Sequence, residues 1–436
     1  MNVAYLDPPY SRYFHVLARH LCERTGGGNV VALLSSPSYR LYTAGDRSLL
    51  WSPGRPTQRT ALPPAIERAS WAPGLDVNTL QESFSHAVEW FKARFAEERT
   101  EVCLVFSDAR PFSAAARIAA DALGVTCVYF ERGAFRYRTS SLGTSGLNAR
   151  FDLLAVQRAS GVKGLSEEEL PARRPTEAWL RLRFLLFMLH HGLAGMLQPA
   201  RRAMHHKRYH FFNYLRIAWS EMRSRAGEPT TPVARGEQPV VLLPLQLPTD
   251  SQFVLHSPFR HNQELLDFVV DRARRALPRA EVLVKKHPMD VRSYRLPEGA
   301  RFIEGHLGRY YAAADCVVCI NSTAGFEAAV HGKPVVCFGR SFYTSHRLVT
   351  RATRENFHRR LASAVARGDD PAAGRELRAA VLRYYQAPGD VWAYTADDLR
   401  RTADIVLQQF QAADVGRSAA VALAVIGAAG AHPASA

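Results

Sequence analysis

Four stretches of the chain put reactive side chain types where turns should lie. In Ile320-Asn321-Ser322-Thr323-Ala324-Gly325-Phe326-Glu327 an apolar strand ends and small hydroxyl residues lead into a helix. A helix start offers unbonded N–H groups and the positive end of a dipole, which suits a phosphate. Ser322 and Thr323 add hydroxyl donors, Gly325 permits close backbone approach, and Glu327, one turn in, could accept from ribose hydroxyls. Ordinary N-capping and a solvated carboxylate would produce the same pattern. In Lys285-Lys286-His287-Pro288-Met289-Asp290 the proline holds His287 extended at a strand end, where it could donate to a phosphate or assist a leaving group, or simply brace a loop. Pro244-Leu245-Gln246-Leu247-Pro248-Thr249-Asp250-Ser251-Gln252, followed by His256-Ser257-Pro258-Phe259-Arg260, offers Asp250 as nucleophile or base, although turns are also where aspartate is commonest. Tyr129-Phe130-Glu131-Arg132-Gly133-Ala134-Phe135-Arg136 supplies a second carboxylate from the other half of the chain. A carboxylate pair suits glycosyl chemistry: one acts on the attacking or departing oxygen, the other stabilises or captures the anomeric cation. Asp108-Ala109-Arg110-Pro111 adds Arg110 as an anion partner.

These stretches need a scaffold that brings strand ends together. Apolar spacing predicts helices over 11–24 and 80–97, with strands at Asn29–Leu34 and Val102–Phe106, a helix at Pro111–Leu123 and a strand at Val125–Phe130. From Pro239 the alternation resumes: strands Val240–Pro244, Glu281–Lys285, Asp315–Ile320 and Pro334–Phe338, with helices at Asn262–Leu277, about Ala324 to His331, 355–384 and 393–413. This is an α/β chain of parallel β-α-β units, read as two Rossmann-like domains facing a central cleft, with ligands bound beyond the carboxyl ends of the strands. The expected divisions are 1–160 for the N-terminal Rossmann-like domain, 161–238 for basic amphipathic helices and a linker, 239–395 for the C-terminal Rossmann-like domain, and 396–436 for a last helix and a frayed Ala-rich tail.

The 436 residues carry 56 Lys and Arg against 40 Asp and Glu, a formal net charge of +16. That surplus favours an anionic partner. No RNA- or DNA-binding motif accompanies it, so nucleic acid is set aside. Residues 166–226 interleave Trp179 and Phe184-Leu185-Leu186-Phe187-Met188-Leu189 with basic residues, as either packing helices or a surface for anionic lipid. Six scattered cysteines suggest buried thiols of a reducing compartment. The Cys316-x-x-Cys319 pair lies in a strand, where period-two geometry sends the two to opposite faces. Histidines 190, 191, 205, 206 and 210 lie among cations without carboxylate partners, so no metal is expected. Neither a secretory leader nor an apolar run of spanning length is present, which points to the cytoplasm.

Taken together and in this order, the motifs resemble capsule polysaccharide synthesis proteins of the KpsS/LipB type, with KpsC-type retaining β-Kdo transferases as more distant matches. The stretches that carry the resemblance are Val105–Pro111, Phe130–Arg136, Pro244–Gln246, Asp250–Gln252, His256–Arg260, Lys286–Asp290 and Asn321–Glu327 through Gly332-Lys333-Pro334-Val335. The resemblance implies a GT-B fold and transfer of β-Kdo, with retention, from CMP-Kdo to a (lyso)phosphatidylglycerol acceptor. It implies Asp250 as nucleophile, Glu131 as general acid/base and His287 as the group assisting the CMP phosphate. Gln246, Ser251, Gln252, His256, Ser257, Lys286, Asn321, Ser322, Thr323, Gly325 and Glu327 would hold the donor, and Arg110, Arg132 and Arg136 would face the acceptor. No cofactor or metal is implied. The implied partners are an anionic lipid at the inner face of the bacterial inner membrane, a KpsC-type transferase and the capsule export machinery. One departure is Arg132, where the compared members often carry a non-basic residue between Glu and Gly. Other readings are a β-Kdo transferase with another glycan or glycolipid acceptor, an epimerase or glycerophosphotransferase of related fold, and a non-enzymatic export factor.

Overall fold

A computed structural model describes residues 1–68, 76–158, 164–175, 178–198, 201, 204, 233–248 and 250–429. The strands are β1 (Val3–Leu6), β2 (Val30–Leu34), β3 (Arg47–Leu50), β4 (Val102–Phe106), β5 (Thr126–Arg132), β6 (Thr139–Gly143), β7 (Val240–Pro244), β8 (Glu281–Lys285), β9 (Ala300–Phe302), β10 (Cys316–Cys319), β11 (Val335–Cys337), β12 (Val349–Arg351) and β13 (Gln386–Pro388). They form two sheets. The first has the order β13-β6-β5-β4-β1-β2-β3, the second β12-β11-β10-β7-β8-β9. Strands β1 to β5 are mutually parallel, as is the whole second sheet. Continuous apolar runs such as Val102–Phe106 and Val240–Pro244 are buried along their length, as strands covered by helices on both faces must be.

In each sheet the order reverses beside the first strand, β1 or β7, and such a switch point leaves a crevice at the carboxyl ends of the strands. Two Rossmann-like halves whose crevices face each other make the GT-B arrangement. Below the crevices a row of rings joins the halves: Phe135 to Phe326 at 5.6 Å, Phe326 to Phe342 at 5.2 Å, Phe342 to Tyr385 at 4.7 Å and Tyr385 to Phe151 at 4.2 Å between centroids. These rings belong to one core cluster that runs from Ala4 and Val105 of the first sheet to Val317 and Val335 of the second.

The chain ends by returning to its beginning. Strand β13 pairs antiparallel with β6, and the helix Ala396–Ala429 packs on Tyr13–Arg24. Return to the first half therefore starts at Gln386, ten residues before the division expected at 396, and the helix runs on to Ala429 where a frayed tail was expected from Ala419. Much of the 166–226 region and of the linker, and His205, His206 and His210, lie outside the described residues. The described part of that region includes a helix at Ala178–Leu197.

All six cysteines are free and buried. Cys316 lies in the core on one face of the second sheet and Cys319 in the core on the other, as strand alternation requires. Among the described residues no helix is long and apolar enough to cross a membrane, and no three His, Cys, Asp or Glu side chains gather as a metal site would need.

Candidate active site in the interdomain cleft

Glu131 is the next-to-last residue of β5, half-buried at the carboxyl edge of the first sheet. Strand alternation sends its neighbour Arg132 to the other face. There Nε of Arg132 bonds Oδ2 of the fully buried Asp390 at 3.1 Å, and the guanidinium lies 4.3 Å from the Trp392 ring and 4.7 Å from the Tyr137 ring. The basic residue inside the Glu-x-Gly motif is thus a clasp on the returning C-terminal segment and does not face the cleft. Asn148 donates from Nδ2 to Oε2 of Glu131 at 2.5 Å. Burial raises the Glu131 carboxyl to about 7, against the pull of Arg136 and the Asn148 bond. The negative fields of Asp108 and Asp250 add to the rise.

The β5–β6 hairpin carries Arg136. Gly133 makes that hairpin possible, because a β-carbon there would lie 2.1 Å from Oγ1 and 2.3 Å from the carbonyl oxygen of Thr139. The Arg136 side chain is exposed to solvent. Its field acts on Glu131 and Glu327, and also on Asp250 and His287. Asp250, His287 and Glu327 all belong to the second domain.

Asp250 N-caps the short helix Ser251–His256, accepting from the Gln252 N–H at 2.9 Å through Oδ1. Its place in a turn therefore has a plain structural use, and its second oxygen is left over for chemistry. Burial raises its carboxyl, opposed by the Gln252 bond and by Arg136. His287 follows β8. Its Nδ1 accepts the Met289 N–H at 3.1 Å, so in the neutral ring the proton sits on Nε2 as a donor. Burial lowers its pKa, partly offset by Asp290 and reinforced by Arg136, which favours that neutral form. Lys286 lies 6.0 Å from the Tyr294 ring.

The loops after β7 and β10 are wired together. Gln246 donates to Oδ1 of Asn321 and accepts the Asn321 N–H, both at 3.3 Å, while Nδ2 of Asn321 reaches Gln252 at 3.1 Å and the Arg340 carbonyl at 2.9 Å. Gln246 and Asn321 are buried. These residues, expected to touch the donor, spend their polar atoms holding the cleft floor. Ser257 likewise closes its own turn, with Oγ bonded to both the N–H and the carbonyl of Phe259 at 3.0 Å. Ser251 and His256 begin and end the short helix that Asp250 caps.

Two expectations at the helix Thr323–Val330 need correction. The Ser322 hydroxyl is fully enclosed and turned toward the Cys319 thiol, so the groups this end offers a phosphate are backbone N–H donors and Thr323. Gly325 is required by packing: a β-carbon there would stand 2.6 Å from both Cys319 Sγ and Tyr343 Oη. Glu327 accepts from Tyr311 Oη at 3.2 Å, which fixes it one turn into that helix. Arg110, expected at the acceptor side, is buried within the first domain.

Sequence reading missed a further group of cations shared by the two domains. An open recess of about 570 Å³ is lined by Arg117 and Arg150 of the first domain and Arg340 of the second. Arg150 reaches toward Asp108 at 4.0 Å, and Asp108 in turn acts on Glu131. In sequence Arg117 reads only as the helix partner of Asp121 four residues on, and Arg340 stands singly after a strand, so neither carried a signal.

Residues 198–368 match the family described as capsule polysaccharide biosynthesis protein. The chain is 35% identical over 158 residues to Protein FixF of Sinorhizobium fredii, a stretch that is 34% of this chain and spans only 38% of that relative's length. It is 25% identical over 281 residues to the capsule polysaccharide export protein KpsS of Escherichia coli, covering 58% of this chain and 71% of that protein. Among solved structures, KpsC of Thermosulfurimonas dismutans, a β-Kdo 2,7 transferase, aligns with a TM-score of 0.37 at 19% identity over 73% of this chain and 89% of its own.

Proposed function

For a chain that resembles capsule polysaccharide synthesis proteins of the KpsS/LipB type, we propose a retaining glycosyltransferase that moves β-Kdo from CMP-Kdo to an anionic (lyso)phosphatidylglycerol acceptor. The observation that carries this reading is the meeting of Glu131 and Arg136 from one domain with Asp250, His287 and Glu327 from the other. In the first step the Asp250 carboxylate attacks the anomeric carbon, and the bond to the CMP phosphate breaks with its electron pair leaving on CMP. The Nε2 proton of His287 and the N–H groups opening the helix Thr323–Val330 receive that negative charge. In the second step the acceptor hydroxyl attacks the same carbon, its proton passes to Glu131, and the ester bond breaks back to Asp250. Glu327 holds the donor ribose, and Arg117, Arg150 and Arg340 supply cations for an acidic sugar and an acidic acceptor. No step requires a metal.

The test is direct. Purified protein with CMP-Kdo and lysophosphatidylglycerol should yield a product one sugar acid heavier by mass spectrometry, and Asp250→Ala should lower that yield at least ~10³-fold. An unchanged Asp250→Ala rate would remove the double displacement. Full transfer from UDP-sugars and none from CMP-Kdo would remove the donor.

Membrane docking belongs to the same proposal. The helix Ala178–Leu197 buries Phe187 and Met188 but leaves Leu182, Leu185, Leu186, Leu189 and Leu193 exposed at helical spacing along one face, with Trp179 beside them. Such a stripe on a cationic protein suits the interface of an anionic bilayer, and the expected site of action is the cytoplasmic face of the inner membrane, alongside a KpsC-type transferase and the export machinery. In flotation the protein should follow vesicles containing phosphatidylglycerol, and a Leu186→Asp/Leu189→Asp variant should stay with the soluble fraction. Equal recovery on neutral vesicles would count against the electrostatic part.

A further inference from the structure

Arg110 follows β4 at the carboxyl edge of the first sheet, where β4 lies beside β1. It is only 1% exposed. Its Nη1 donates to Tyr39 Oη at 3.3 Å, and the guanidinium lies 5.2 Å from the Phe106 ring. Nε and Nη2 are both enclosed without a hydrogen-bond partner among the described residues. Those two nitrogens form one edge of the planar group, the edge that grips an oxyanion through two parallel bonds. The nearest candidate to neutralise it is Asp7, but Asp7 lies beyond ion-pair distance, and its two oxygens accept from the N–H of Ser35 at 2.8 Å and the hydroxyl of Ser35 at 2.6 Å. A buried cation with a bare fork is costly to leave unpaired, so a group that fills it is called for.

The surroundings form an enclosure. Tyr10 and Tyr39 lie 6.0 Å apart, Phe187 is 4.8 Å from Tyr39, and Phe184 is 5.1 Å from Tyr10. Phe184 and Phe187 belong to the helix Ala178–Leu197, which covers these rings as a roof. Two polar contacts pin that roof, Ser38 Oγ to His190 Nδ1 at 2.7 Å and His191 Nδ1 to Ser36 Oγ at 3.2 Å. Asp7, Tyr10 and Ser107 at this same edge all have positive φ, a concentration of backbone strain of the kind found at ligand sites.

We propose that Arg110 is the floor of a second, enclosed oxyanion site in the first domain. It takes the phosphate or carboxylate group of a ligand admitted when the helix Ala178–Leu197 lifts. This site is separate from the cleft of Glu131 and Asp250 and does not depend on which donor that cleft takes. The outer face of the roof is the exposed leucine stripe, so an anionic lipid headgroup and a free phosphate are the two sources of the same chemistry.

The test follows thermal unfolding of the full chain as inorganic phosphate is titrated, and in parallel as vesicles of phosphatidylglycerol in phosphatidylcholine are added. The variants are Arg110→Met, which removes the charge but keeps the volume, and Arg110→Lys, which keeps the charge but loses the fork. Wild type should be stabilised by several degrees, Arg110→Lys should need at least ~10-fold more ligand, and Arg110→Met should not respond. Without ligand, Arg110→Met should melt at or above wild type, because an unpaired buried charge is gone. A response to phosphate assigns a free anion, and a response to phosphatidylglycerol vesicles alone assigns a headgroup. If Arg110→Met melts well below wild type, or responds to both ligands as wild type does, Arg110 is a structural cation and the proposal fails. Should Arg110→Met not fold, an Arg110→Lys titration that matches wild type fails it equally.

Discussion

Glu131→Gln is expected to raise the melting temperature at pH 8 while nearly abolishing transfer. The Glu131 carboxyl sits at about 7, above the ordinary carboxylate range, because burial and the fields of Asp108 and Asp250 oppose its ionisation. A carboxyl raised on folding contributes its full stability below its unfolded pKa of ~4.5 and loses it as pH climbs through the folded value. Between pH 5 and pH 8 the wild type should therefore lose stability on the order of 3 kcal/mol that the glutamine variant keeps, an upper bound because the cleft admits water. For a protein of this size that is a gap of at most roughly 3 °C at pH 8, closing at pH 5. Scanning calorimetry at the two values checks it. A variant melting below wild type at pH 8 would mean that Glu131 is stably ionised against Arg136. In kinetics, the base that receives the acceptor proton must be ionised, so kcat/KM should rise with pH to a midpoint near 7, and that limb should vanish in Glu131→Gln together with ~10²- to 10⁴-fold of rate.

Gly133→Ala should damage both stability and site with one methyl group. The added carbon would meet Oγ1 and the carbonyl oxygen of Thr139 at 2.1 and 2.3 Å. Thr139 cannot step back, since its Oγ1 donates to Gln386 Oε1 at 2.7 Å and Gly133 itself donates to its carbonyl at 2.9 Å. The hairpin must open, at a cost of about 3 kcal/mol, and Arg136 three residues on moves with it. A lower urea midpoint and a ~10²-fold loss of transfer are expected. A midpoint equal to wild type would place the flexibility in β6 instead.

The legible part of this protein was its alternation. Apolar runs at Val102–Phe106 and Val240–Pro244 are strands, and the polar loops after them lie at one edge because parallel strands end together. The opposite placement of Cys316 and Cys319 followed from the strand period alone. What was not legible depends on tertiary neighbours. The Ser322 hydroxyl turns to a thiol three residues back, and Gly325 is small because Tyr343 and Cys319 crowd it. Arg132 looked like an acceptor contact until Asp390, 258 residues away, was seen to claim it. Strand β13 is three residues long, too short to carry a period. Glu131 and Arg136 share a motif, but nothing in one sequence says that their fields reach Asp250.

The return of β13 to the first sheet gives the second domain the topology of an insertion. Residues 233–385 are a cassette held at both ends by the first half, since β13 and the helix after it belong to that half. Truncating the chain after the second sheet would strip an edge strand and a packed helix from the domain that precedes it. Exchanging the second domain for another therefore means exchanging an internal block, with the final fifty residues left in place as part of the recipient.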